Sequence, residues 1–186
     1  TLEKVYDVLK YENNEIIFTR KTLSFKEWNN SLDLFSDTEQ ALKQVNYWKN
    51  INSRIDNSFI TINDMNRECD CLTVNREIDG LRIKKLLHDG MEKLGAASNE
   101  LFLTALYRTF NQMFGVEKVA VRLEGHGREE CINAEDISRT VGWFTSAYPV
   151  ILTSSGLSSL AEDVLCIKDN VKSIPKKGVA YGILKY

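Results

Sequence analysis

The sequence predicts a mixed α/β fold, because helical and strand periodicities alternate along its 186 residues. Apolar side chains recur every three or four positions in several segments, which is the spacing of an amphipathic helix. Among these segments lies a run of β-branched and apolar residues from Val119 to Leu123, which is typical of a strand. Hydrophobic residues make up 43% of the chain, enough for one or two packed cores.

The first part of the chain predicts amphipathic helices joined by polar loops. Aromatic and leucine side chains recur at helical spacing from Phe25 to Phe35, which places them on one face. Ser36 to Glu39 has the S-x-x-E spacing of a capping box and predicts where the next helix begins. The predicted helices cover residues 2–10, 25–35 and 41–48, and short strands are expected at residues 16–19 and 58–62.

The middle of the chain predicts one strand and two helices before the central strand. Apolar and polar residues alternate from Cys71 to Ile78, which favours a strand, and Asp79-Gly80 then turns the chain. Apolar residues from Ile83 to Met91 follow helical spacing. Ser98 is predicted to cap the next helix with its hydroxyl, and Gly115 is predicted to end that helix.

The last part of the chain contains a second apolar run and predicts a helix and a final strand. A second apolar run extends from Val141 to Val150 and is expected to end near Pro149. Ser159 to Glu162 forms another capping box, which opens a helix that ends before Pro175. Val179 to Tyr186 is apolar and aromatic, and it is predicted to be a strand.

Composition and charge argue against several classes of function. The net charge is −2 with scattered Lys and Arg, so no nucleic-acid surface is expected. No apolar run approaches the roughly 20 residues that span a bilayer, and no secretory leader opens the chain. The four cysteines lack the spacing of a zinc site, so we expect reduced thiols in a cytoplasmic protein. Because the chain begins with Thr1 and ends at Tyr186 in an apolar run, we expect a piece of a longer polypeptide.

A charged turn after the central strand carries the candidate chemistry. Glu124 is predicted to end the strand, Gly125 to Gly127 turn the chain, and three charged residues follow up to Glu130. A rigid strand can hold a side chain while the adjoining turn leaves it accessible to a ligand. A solvated hairpin loop is the alternative interpretation, because one acid beside one histidine is a weak signal.

Two signatures here resemble those of the epimerization domains of non-ribosomal peptide synthetases, which belong to the condensation-domain superfamily. EGHGREE covers Glu124 to Glu130, and DISRTVGWFTSAYP covers Asp136 to Pro149. Within further similar stretches, Glu100 stands where Asp is usual, and Ala180 stands where Gly is usual. Those stretches, in the family's order, are Thr22 to Leu32 with Tyr47-Trp48, Ser98 to Leu106, and Ile174 to Tyr186.

The resemblance implies a fold of two lobes like that of chloramphenicol acetyltransferase, with the active site in a tunnel between them. Residues 1–78 would be the end of the N-terminal lobe, and residues 79–186 the start of the C-terminal lobe. The fold is therefore expected to be incomplete at both ends.

The resemblance also implies inversion of the α-carbon of an aminoacyl or peptidyl thioester. Glu124 matches the family's catalytic glutamate and is expected to be one of two proton-transfer groups. The carboxylate would need to be buried in order to accept and return a proton near neutral pH. The second group belongs to an H-H-x-x-x-D-G motif expected shortly before Thr1, so this piece alone is expected to lack complete activity. Residues expected to bind substrate or shape the site are His126, Arg128, Trp143, Phe144, Thr145 and Tyr181.

The partners implied are a carrier domain, whose phosphopantetheine arm holds the thioester, and the neighbouring synthetase domains. No cofactor or metal is expected on this domain itself, and neither nucleic acid nor membrane is expected as a partner. Two alternatives remain open. One is a condensation domain that forms a peptide bond between carrier-bound substrates, although the Arg139 to Thr145 run favours the epimerization branch. The other is a non-catalytic docking module of the same fold.

Overall fold

The protein has the predicted mixed α/β fold, with helices packed around an antiparallel pair of strands. The computed structural model describes residues 2–11, 20–56, 58, 67, 69, 71–129, 136–154 and 159–185. In chain order the elements are α1 (Leu2–Tyr11), α2 (Phe25–Ser36), α3 (Glu39–Ser53), α4 (Gly80–Leu94), α5 (Ser98–Phe114), β1 (Lys118–Gly125), β2 (Ser146–Thr153), α6 (Leu160–Lys172), a 3-10 turn (Pro175–Gly178) and α7 (Val179–Lys185).

The strand pair supplies one wall of the main core. β1 and β2 run antiparallel, and Val119 lies opposite Leu152, so both side chains project from the same face. Leu152 is fully buried in a cluster with Trp48 of α3, Tyr107 of α5 and Ile167 of α6. Three helices therefore pack together on one face of the strand pair.

A second apolar cluster joins the two halves of the described chain. Trp28 and Phe35 of α2 pack with Ala41 of α3, Phe144 and Val179. Phe144 lies just before β2, and Val179 begins α7. The segment that leads into β2 is therefore held between α2 and α7.

Two helix starts lie close to, but not at, the predicted capping residues. Thr38, rather than Ser36, caps α3, because the Thr38 hydroxyl accepts a hydrogen bond from the Ala41 amide at 3.2 Å. Ser36 is still the last residue of α2, so the predicted capping box there is wrong. Ala97 occupies the N-cap of α5, so Ser98 is its first helical residue and not its cap.

Other predicted helix ends are confirmed. The Ser159 hydroxyl accepts a hydrogen bond from the Glu162 amide, and the Glu162 carboxylate accepts one from the Ser159 amide, which completes the capping box of α6. Gly115 ends α5 with a φ of 66°, a left-handed conformation that glycine adopts without strain. Helices α1, α2 and α4 also occur where the apolar spacing predicts them.

Two strand predictions are wrong. Residues 71–79 form no regular element, and Leu72 is 89% exposed; no strand of the described chain pairs with this segment to form a ladder. Val179 to Lys185 is the helix α7, in which Ala180 is buried with Leu184, four residues later, packed against the same cluster. An apolar stripe at helical spacing outweighs the β-propensity of individual residues here.

The second strand only partly overlaps the apolar run from Val141 to Val150. β2 covers Ser146 to Thr153, so it begins within that run and continues past Pro149, where the run was expected to end. Pro149 lies within β2 opposite Arg122, which is tolerated because no further strand among the described residues pairs with β2 on its other side. The strands expected at residues 16–19 and 58–62 lie outside the described residues, apart from Ser58. No helix in the described ranges has the length and hydropathy needed to span a bilayer.

We predict that the main core depends on Leu152. Leu152→Ala removes a fully buried side chain and should lower the free energy of unfolding by about 2–5 kcal/mol. Leu72→Ala is the matched control, because that leucine is exposed and its loss should change the free energy by less than about 0.5 kcal/mol. Denaturant-induced unfolding measures both, and equal losses would contradict this description of the core.

Candidate functional site

A cavity of about 520 Å³ lies against the two strands, α2 and α7. This volume is within the range of pockets that bind small molecules, roughly 300–1,000 Å³. Its apolar walls include Trp28, Phe144 and Tyr148, and the charged residues of its lining are Arg122 and Lys185. The remaining lining residues are Leu32, Ile55, Ala120, Val121, Gly127, Thr145, Ser146, Ala147, Pro149, Val179, Tyr181, Gly182 and Ile183.

Glu124 is not among the residues that line this cavity, but two of its neighbours are. It belongs to β1, which continues through Gly125 rather than ending at Glu124. Its cross-strand neighbour Ala147 lines the cavity, and so does Arg122, which projects from the same face two residues earlier. The Glu124 side chain is exposed, so the described residues do not supply the burial that was expected for it.

The turn after Glu124 brings the chain against the segment that leads into β2. Gly127 has a φ of 69°, and a Cβ atom built there would lie 1.5 Å from the carbonyl oxygen of Phe144. Only glycine fits this close approach without a backbone shift. His126 is exposed in the same turn, where its Nδ1 accepts a hydrogen bond from the Arg128 amide at 3.0 Å.

Accepting that bond places the proton of the neutral imidazole on Nε2. His126 Nε2 lies 3.2 Å from Oε1 of Glu129, whose side chain is only 13% exposed. The imidazole therefore points a donor at a mostly buried carboxylate, which fixes the ring within the turn.

Arg128 locks the turn to the segment before β2. Its guanidinium donates to the Ile137 carbonyl at 2.6 Å and to the Thr140 carbonyl at 2.8 Å. The same group lies 3.9 Å from the centroid of the Phe144 ring, in cation–π geometry. Phe144 in turn packs edge-to-face on Phe25 of α2, with ring centroids 5.1 Å apart.

A hydrogen-bonded junction holds that segment to the start of α2. The Leu23 amide donates to the Asp136 carbonyl at 3.0 Å, and the Thr140 hydroxyl donates to the Leu23 carbonyl. The Ser138 hydroxyl and, to a smaller extent, the Ser138 amide donate hydrogen bonds to Asp136. These bonds hold the pKa of Asp136 below its usual value. The loop between β1 and β2 is thus anchored at its described end.

The other expected site residues divide into two groups. Phe144, Thr145 and Tyr181 line the cavity, and the Tyr181 hydroxyl lies 3.0 Å from Oδ1 of Asn52 in α3. Trp143 is 81% exposed and does not belong to the lining. The structure therefore brings together three of these side chains and leaves Trp143 outside.

Sequence reasoning missed the 3-10 turn as part of the site. Lys177 Nζ lies 3.0 Å from Oε2 of Glu129, so this turn meets the one that follows Glu124. Gly178 has a φ of 75°, and a Cβ atom there would lie 2.0 Å from the Tyr148 ring. Burial raises the pKa of Tyr148, and the charge of Glu129 raises it further. The P-K-K-G segment predicts a turn, but Lys177 and Glu129 are 48 positions apart, so local sequence patterns do not indicate their contact.

The remaining candidates for chemistry lie away from the cavity. His88 is exposed on α4, where its ring lies near Asp89 and Glu92. Cys69 and Cys71 are exposed, and neither forms a disulfide bond with a described residue. Across the described ranges, no group of three or more His, Cys, Asp or Glu side chains is arranged to hold a metal ion.

We predict that Arg128 cannot be replaced by lysine. Arg128→Lys keeps the charge but loses the planar group that binds two carbonyls and stacks on Phe144, which should cost about 1–3 kcal/mol of unfolding free energy. Arg139→Lys is the control, because within the described ranges Arg139 donates a single long hydrogen bond, at 3.4 Å, to the Arg20 carbonyl. Thermal or denaturant unfolding measures both variants. Equal losses of unfolding free energy would contradict this role of Arg128.

Comparison with known proteins places this arrangement among peptide synthetases. A family model described as "Condensation domain" matches residues 1–186. Gramicidin S synthase 1 of Brevibacillus brevis is 35% identical over 176 residues, which cover 92% of this chain and 16% of that protein. The chain thus spans about a sixth of this relative's length.

Two solved structures share the fold. The epimerization domain from the third module of tyrocidine synthetase B matches with a TM-score of 0.76 and 30% identity, over 98% of this chain and 42% of that one. The first condensation domain of the CDA synthetase matches with a TM-score of 0.65 and 14% identity, over 96% of this chain and 37% of that one. The two-lobe fold implied by the sequence resemblance is that of these domains.

Proposed function

Since the chain belongs to the condensation-domain family of non-ribosomal peptide synthetases, we propose that it is part of an epimerization domain. Its reaction would invert the α-carbon of an aminoacyl or peptidyl thioester. The observation that carries this proposal is the position of Glu124 near the end of β1, directly opposite Ala147, which lines a cavity with apolar walls. The 30% identity to an epimerization domain, against 14% to a condensation domain, supports the same choice.

The chemistry requires a base on one face of the α-carbon and an acid on the other. The base takes the α-hydrogen as a proton, and the electron pair of that C–H bond moves into the thioester carbonyl to give an enolate. Return of a proton to the opposite face completes the inversion. Glu124 is proposed as one of the two proton-transfer groups. Bound thioester would exclude water from the rim, which favours the exchange of a proton by a carboxylate.

The cavity suits a substrate delivered on an arm. Its apolar walls of Phe144, Tyr148 and Ile183 can contact an acyl group, while its open side leaves room for a tether. We propose that a carrier domain presents the thioester on phosphopantetheine, so that the domain itself needs no bound cofactor. The neighbouring domains of a cytoplasmic synthetase are the further partners proposed.

A condensation activity is the second candidate. The matching family model carries that name, and a condensation domain shares the fold across nearly the whole chain. The two reactions leave different products, because one inverts a stereocentre and the other joins two acyl chains by a peptide bond. The configuration and length of the product released from the carrier separate them.

We predict that Glu124→Gln, made in the intact synthetase module, will lower the rate of α-proton exchange by about 10²–10⁴-fold. Glutamine keeps the size of the side chain but cannot accept the proton. Glu117→Gln is the control, because Glu117 is also exposed and lies just before the other end of β1. The measurement is deuterium incorporation from solvent into the carrier-bound aminoacyl group.

Unchanged exchange in the Glu124→Gln variant would remove this carboxylate from the mechanism. A wild-type module that forms a peptide bond without inverting the α-carbon would instead establish the condensation activity.

A further inference from the structure

The 3-10 turn before α7 holds an unusual backbone conformation. Lys176 and Lys177 have φ values of 46° and 50°, and Gly178 follows with 75°. Left-handed backbone is uncommon for residues other than glycine, and three such residues in succession persist only where surrounding contacts enforce them. Strain of this kind is concentrated at functional sites, so the contacts that hold this turn are informative.

One of these contacts is an ion pair with a mostly buried acid. Lys177 Nζ lies 3.0 Å from Oε2 of Glu129, and the Glu129 side chain is 13% exposed. Lys176 shares the backbone conformation and the charge, but it makes no ion pair with any residue the structure describes. The two neighbouring lysines therefore differ in their side-chain partner and not in their backbone.

The same carboxylate also reaches the turn that follows Glu124. Glu129 Oε1 lies 3.2 Å from Nε2 of His126, and the other ring nitrogen of His126 accepts a hydrogen bond from the Arg128 amide. Each oxygen of Glu129 is thus directed at a different partner, one on each turn. The path from Lys177 to Glu124 runs through Glu129 and His126, and His126 is only two residues after Glu124.

We propose that Glu129 and Lys177 are positioning residues for Glu124. Their ion pair joins the 3-10 turn to the turn that follows Glu124. It thereby sets the direction in which β1 presents the Glu124 carboxylate to the cavity. This inference rests on the proposed function of Glu124, and it deepens that function by assigning the groups that orient the base. Neither residue lines the cavity, so their loss should misplace Glu124 without weakening substrate binding.

The test compares Lys177→Met with Lys176→Met in the intact synthetase module. A displacement of about 1 Å at a reacting group can cost on the order of 10²-fold in rate, so Lys177→Met should lower kcat for α-proton exchange by about 10–100-fold. The KM for the carrier-bound substrate should stay within about twofold of the wild-type value if binding is untouched. Lys176→Met should leave both constants within about twofold, and Lys177→Arg, which can restore the ion pair, should recover most of kcat.

Equal kcat values for Lys177→Met and Lys176→Met would overturn the proposal, as would a loss that Lys177→Arg does not repair or a loss that appears only in KM. If a methionine variant fails to fold, Lys177→Gly and Lys176→Gly provide the same comparison, because glycine adopts the left-handed backbone without strain. Glu124→Gln in the same assay separates the two hypotheses. Exchange that survives Glu124→Gln refutes the proposed function, whereas exchange that requires Glu124 but not Lys177 refutes only the positioning role.

Discussion

The structure around the candidate site depends on one guanidinium group. Arg128 binds two backbone carbonyls of the segment before β2 and stacks on Phe144, which itself is buried against α2. These interactions join the end of β1 to the start of β2 across a long loop. Without them, the two strands would still pair, but the turn that follows Glu124 would lose its attachment to the segment before β2 and keep only the contacts of Glu129 with His126 and Lys177.

Two glycines allow the close backbone contacts that accompany these Arg128 interactions. Gly127 allows the turn to lie against the carbonyl of Phe144, and Gly178 allows the last turn to lie against Tyr148. Each close approach excludes a side chain and brings charged groups from distant positions together. The result is a rigid rim around an open cavity, with Glu124 on a strand rather than on a loop.

The sequence alone could predict features governed by local rules. Helical spacing and hydroxyl caps identified α6 from Ser159, and the glycine at position 115 identified the end of α5. The same rules failed where tertiary packing decides. Val179 to Lys185 forms a helix because its apolar stripe meets the Trp28 cluster, and the Cys71 to Ile78 alternation has no described strand beside it.

The candidate site was predictable only where its residues are close together in the sequence. The family signature pointed to Glu124, His126 and Arg128, and the structure gathers all three at one turn. The signature could not exclude Trp143 from the cavity, because exposure depends on how the segment packs. Nor could it pair Glu129 with Lys177, because an ion pair across 48 positions leaves no periodic pattern in the sequence.

We expect the Glu124 carboxylate to face the α-carbon of a tethered thioester. A crystal structure of the intact domain with a carrier-linked, non-hydrolysable substrate analogue tests this most directly. We expect a Glu124 oxygen within roughly 3–3.5 Å of the α-carbon, the separation of reacting atoms poised for transfer. An analogue bound in the cavity with its α-carbon beyond the reach of Glu124, and that carboxylate turned to bulk water, would contradict the account.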